Sequence, residues 1–213
     1  MVASWPVTWR RVYPRSPRGR FPKCRGFFPQ SRIQKILDSC DRGTVIGKRN
    51  YALFLLLARL GLRAGEVVAL RLEDFDWEAG LITVHGKGKR VAQMPLPAEV
   101  GIAIADYLSK GRPRCSSRRV FIRAKAPLTG FANSIAICSL VDRAMEKAGV
   151  ESEYRGSHLF RHSLATQMLQ HGASLPEIGD LLRHRRPDTT RIYAKVDLMA
   201  LRSIALPWPG GNQ

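Results

Sequence analysis

The stretch from Tyr51 to Leu70, YALFLLLARLGLRAGEVVAL, decides the fold. Its first ten residues are apolar nearly all round, a pattern that suits a central helix buried on every side rather than one lying on a surface. Gly61 stops that helix, and a second short helix holds Glu66 to Leu70.

Upstream, Ser31 can cap a short helix that carries Ile33, Ile36 and Leu37 at helical spacing. Before it, residues 1–30 combine Arg10, Arg11, Arg15, Arg18, Arg20, Lys23 and Arg25 with five prolines and no acid. Proline blocks regular structure and like charges repel, so a disordered arm is expected. It reads equally as a DNA-tracking tail or as a non-native leader. Downstream, LITVHG and RVAQMPL are strand-like runs around Gly86-Lys87-Gly88-Lys89, which predicts a β-hairpin. Helices are expected over 98–110, 131–148, 157–171 and 174–183. The last has the S-x-x-E capping pattern at Ser174 and Glu177. A short helix from Asp188 would carry Tyr193, and another would cover 197–205. The class is α+β, mainly α-helical with a small antiparallel β-sheet. Residues 31–206 form one domain in this reading, followed by a flexible tail at 207–213.

The 213 residues carry 35 Lys+Arg against 17 Asp+Glu, a net charge of +18. A surplus that large concentrates polyanions and points to nucleic acid first, membrane surface second. Cys24, Cys40, Cys115 and Cys138 form no CxxC pair, which excludes a zinc knuckle and a dense disulfide framework and suits the cytoplasm. No apolar run approaches the roughly 20 residues of a membrane span.

The chemistry concentrates in a few residues. His158 and Arg161 in HLFRH stand three apart, so one helix presents both on one face. His184 follows in LLRHRRPDTT and Tyr193 in TRIYAKVD, while Arg63 stands upstream in GLRAGE. Any one of these would read as a surface charge or a structural histidine. Two arginines, two histidines, a hairpin lysine and a tyrosine together are an inventory for phosphodiester chemistry, which needs cations at the non-bridging oxygens, a nucleophile and a proton donor. A metallohydrolase is the rival reading, since His158 and His162 stand four apart as in a helical zinc pair. That pair lacks the intervening glutamate, and Arg161 beside a dication would be repulsive.

From about Gly47 to Val196 the chain resembles the tyrosine recombinase, or phage integrase, family. GLRAGE is similar to that family's first arginine box, HLFRH to its His-x-x-Arg box, and LLRHRRPDTTRIYAKVD to the box that ends in the nucleophile. The resemblance implies a catalytic domain that cuts and rejoins double-stranded DNA, working as a tetramer, without metal, cofactor or small-molecule substrate. Arg63, Arg161 and His184 would clamp the scissile phosphate, Tyr193 would attack it, Lys87 would protonate the leaving oxygen, and His158 would assist transfer of the tyrosine proton. Glu66, one turn past Arg63, would orient a side chain of the site or simply pair with a neighbouring charge. The chain departs from the pattern in three ways. The first 30 residues are too short for the helical DNA-clamping domain of most members, Phe160 stands where leucine is usual, and Arg183 stands where glycine is common. The alternative is a truncated remnant that only binds DNA; a type IB topoisomerase shares the chemistry but suits this chain less.

Overall fold

The computed structural model describes residues 28–86, 88, 90–152 and 155–183. The chain divides into two compact units, the first formed by residues 28–164. Seven described helices and one three-stranded sheet follow the expected order: α1 (Gln30–Asp38), α2 (Val45–Arg59), α3 (Ala64–Ala69), β1 (Phe75–Asp76), β2 (Leu81–His85), β3 (Val91–Pro95), α4 (Ala98–Lys110), α5 (Ser134–Lys147), α6 (His158–Gln170) and α7 (Leu175–Leu181).

Helix α2 is the axis of the first unit. Ala52 to Leu57 are essentially inaccessible, and the ring of Phe54 stacks on Phe160 with centroids 5.9 Å apart. The phenylalanine at position 160 therefore fills space beside α2, where such an aromatic pair contributes about 1 kcal/mol beyond its burial. Helix α2 starts six residues earlier than its apolar run suggests. Thr44 caps it by accepting from the Gly47 N–H at 3.0 Å, and a helix once capped carries its polar first turn along. Its C-terminal end is the turn at Gly61, whose φ of 57° lies in the left-handed region.

The sheet runs β1-β2-β3, all antiparallel, with Leu81 to His85 opposite Pro95 to Val91. The two-residue strand β1 was not legible as a strand; it pairs Phe75 with Ile82 and Asp76 with Leu81. Phe75 stacks on Trp77 at 5.4 Å, an aromatic step that anchors so short an edge.

The segment 111–125, basic in sequence, is stitched to the fold by its own arginines. Arg112 donates to the carbonyls of Ser117, Arg119 and Val120. Arg119 donates to the carbonyl of Ala69 at the end of α3. Arg123 donates to the carbonyls of Lys125 and Ala126, and Arg118 pairs with Glu73. Arg49, almost fully buried, bonds the carbonyl of Ile122 at 3.0 Å and lies over the ring of Phe131.

In the second unit, whose described residues are 165–183, Ser174 and Glu177 close the expected capping box ahead of α7. Arg183 ends the described chain with φ 53°, a left-handed backbone at a non-glycine residue, and its guanidinium donates to the Leu181 carbonyl. No helix among the described residues is long and apolar enough to cross a membrane.

Candidate active site

Arg63 sits at the N-terminal boundary of α3, immediately after the Gly61-Leu62 turn. Glu66, one turn on, is buried, with only 6% of its side chain exposed. Its carboxylate accepts from the Arg63 backbone N–H through Oε2 and from the Arg63 guanidinium through Oε1, both at 2.8 Å. One carboxylate thus caps the helix and fixes the arginine that stands outside it. A buried charge is tolerated only when bonded in this way. The Arg63 side chain remains 38% exposed.

Arg161 reaches the same turn from the far end of the unit. It lies on α6, is 5% exposed, and its Nη1 donates to the carbonyl of Gly61 across a separation of 100 residues. That carbonyl is available because Gly61 ends α2 and its oxygen has left the helical ladder. A guanidinium 100 residues on thus bonds the turn that leads into Arg63. His158 opens α6 and is exposed, one helical turn ahead of Arg161. The lead into α6 is fixed on α5: the Gly156 N–H donates to Asp142 Oδ1 at 2.8 Å, and Ser157 Oγ lies 3.5 Å from Cys138 Sγ. His162, half-buried next to Arg161 in sequence, is held below the ordinary imidazole range, first by burial and then by its neighbours His158 and Arg161.

Of the six residues expected to carry the chemistry, Arg161 bonds the turn that leads into Arg63, and His158 stands one turn from Arg161. Lys87, His184 and Tyr193 lie outside the described residues. Two features were not foreseen from sequence. The Gly61 carbonyl joins the two arginine boxes. Asp74, on the turn after α3, is buried and bonds His85 beside the hairpin.

This arrangement, an axial apolar helix among further helices with a small antiparallel sheet, has the fold of the catalytic domain of tyrosine recombinases. The chain belongs to the phage integrase family, whose defining pattern matches residues 27–199. It is 56% identical over 181 residues to a protein named integrase/recombinase y4rA of Sinorhizobium fredii, covering 85% of this chain and 44% of that one. A second protein of that organism, named integrase/recombinase y4gC, is 39% identical and is covered over 94% of its length, against 85% of this chain. Among solved structures, the site-specific recombinase XerH in a post-cleavage complex with its palindromic difH substrate is 25% identical with a TM-score of 0.71, over 84% of this chain and 52% of that one. The chain thus spans about half the length of y4rA and of XerH.

Proposed function

We propose that this chain carries the catalytic machinery of a site-specific DNA recombinase that cuts and rejoins strands of double-stranded DNA through a 3′-phosphotyrosine. The observation that supports this most is the Arg161–Gly61 bond, which ties Arg161 to the turn that leads into Arg63. Arginine suits that place because its planar fork pairs two phosphate oxygens at once. In the forward step the Tyr193 oxygen forms a bond to phosphorus as the bond to the 5′ oxygen breaks. The tyrosine proton leaves with help from His158, and the ammonium of Lys87 gives a proton to the departing oxygen. Attack by a 5′-hydroxyl reverses the step, so neither oxidant nor nucleotide is consumed. A free tyrosine titrates near pH 10, so cations and a neighbouring base are required for attack at neutral pH. Arg63, Arg161 and His184 supply the positive charge that a divalent ion supplies in carboxylate-lined nucleases.

Residues 31–206 would act as the catalytic domain, with the arm at 1–30 tracking DNA, in a cytoplasmic tetramer assembled on the duplex. The match to XerH in its post-cleavage complex and to two proteins named integrase/recombinase supports this reading.

The test uses the full chain and a pool of nicked duplexes of randomised sequence. A nick near the cleavage position lets the short strand diffuse away and traps the adduct. A denaturing gel should show a covalent protein–DNA band that persists in excess EDTA and disappears in Tyr193→Phe, with DNA binding kept within a few-fold. An adduct surviving in Tyr193→Phe, or one that requires added Mg²⁺, overturns the mechanism. Absence of any adduct overturns the activity.

A further inference from the structure

The hairpin between β2 and β3 carries Lys87, yet its backbone support is thin. Among the described residues β3 is an edge strand, and β1 pairs with β2 at Leu81 and Ile82. Among the described residues, 83–85 are therefore held by a backbone ladder on the β3 side. Beyond His85 the tip is closed by the Gly86 N–H donating to the Arg90 carbonyl at 2.7 Å, around Gly88 with φ 79°. Isolated two-stranded hairpins are marginal in water, so an unsupported tip would sample many positions.

A side-chain contact stands where the β1 ladder ends. Asp74 precedes β1, and extending the register by one residue sets it opposite Thr83, one diagonal step from His85. Cross-strand diagonals lie within reach of long side chains. Asp74 Oδ1 lies 2.8 Å from His85 Nε2, and since the carboxylate can only accept, that nitrogen carries the hydrogen. The carboxylate is buried and cannot drift. Its Oδ2 accepts from the Arg71 N–H at 2.8 Å, and its side chain is 7% exposed against 46% for His85. The turn at Leu72–Asp74 is fixed in turn: the Leu72 N–H donates to the Arg118 carbonyl, and Arg119 in the same segment bonds Ala69 at the end of α3. A continuous set of hydrogen bonds thus runs from the helix that begins beside Arg63 to the base of the hairpin.

We propose that Asp74 and His85 form a positioning pair, the buried carboxylate holding the imidazole and, with it, the base of the hairpin whose sequence carries Lys87. This rests on the reading of Lys87 as proton donor, and the experiment separates the two. Amide spectra and hydrogen exchange of the DNA-free chain form the first arm. His85→Ala should shift and speed exchange at Gly86 and Gly88, while His85→Gln, which retains an N–H donor of similar reach, should leave them near wild type. Unchanged hairpin amides in His85→Ala overturn the pair.

The second arm is a double-mutant cycle on adduct formation with a nicked duplex selected from the pool above. His85→Ala should slow the reaction about tenfold, and adding it to Lys87→Ala should slow that variant by less than about twofold, because coupled residues are not additive. Fully additive losses overturn the proposal whatever Lys87 does. Replacing the 5′-bridging oxygen by sulfur removes the need to protonate the leaving group. Rescue of both single variants by sulfur supports pair and donor together. Failure to rescue Lys87→Ala, with the cycle still non-additive, sinks only the donor role and leaves the positioning pair standing.

Discussion

Two arginine-rich regions of this molecule look alike in sequence and differ in use. Segment 111–125 holds Arg112, Arg114, Arg118, Arg119 and Arg123, and by charge alone it is the stronger candidate for a polyanion surface. In the structure Arg112, Arg119 and Arg123 are turned onto backbone carbonyls, and Arg118 pairs with Glu73. Their first task is to satisfy a loop that forms no regular ladder of its own. The turn after α2 holds fewer arginines: Arg63 follows it and pairs with Glu66, while Arg161 bonds its Gly61 carbonyl from 100 residues away. Partners of the same kind, carbonyls and carboxylates, hold both sets; what separates them is reach, since Arg161 crosses 100 residues to the turn beside Arg63.

The sharpest way to break this distinction is Arg161→Ala. Removing one cation from a transition-state clamp should lower the rate of adduct formation by about two to three orders of magnitude. It should also cost about 1–3 kcal/mol of stability by orphaning the Gly61 carbonyl, read by denaturant titration. Arg112→Ala should show the opposite profile. Losing bonds to three carbonyls should cost about 2–3 kcal/mol, while DNA affinity, measured where both proteins are folded, stays within about threefold. A large affinity loss with unchanged stability would erase the contrast. Arg114 is exposed in the same segment, and Arg114→Ala tests whether any of that charge is left for DNA. The slope of log affinity against log salt should fall by about one with no change in melting temperature.

The smallest effect concerns His162. Its folded-state affinity for protons is depressed by burial, then by His158 and Arg161. As pH falls through the ordinary histidine value of 6.5, the unfolded chain takes up protons that the folded chain refuses. Stability therefore drops on acidification and returns as pH rises. His162→Gln should flatten that part of the melting-temperature profile between pH 5 and 7; an unchanged profile would place the titration elsewhere.

How much of this was legible in the sequence follows from range. The apolar run of α2, the alternation of β2 and β3 and the Ser174–Glu177 box are local patterns, and all three stand where they were expected. Arg63, His158 and Arg161 were legible through family boxes, although no periodicity joins residue 63 to residue 161. Strand β1 was hidden because two residues cannot express an alternation. The architectural role of Arg112 and Arg119 was hidden because their partners are carbonyls, which every residue possesses and no sequence pattern marks. Asp74 looked like one acid among several in LEDFDWE, and only its burial sets it apart.

The bond between Arg161 and Gly61 also has a meaning in time. It closes a loop of 100 residues, and Ser163 closes a still longer one by donating to the Phe28 carbonyl across 135. Contacts of such separation cost the most chain entropy and belong to the slow, late part of folding. A chain emerging from the ribosome can complete α2, the turn and Arg63 long before α6 has been synthesised. Until then the Gly61 carbonyl waits without Arg161, and their bond forms only when the unit has closed on itself.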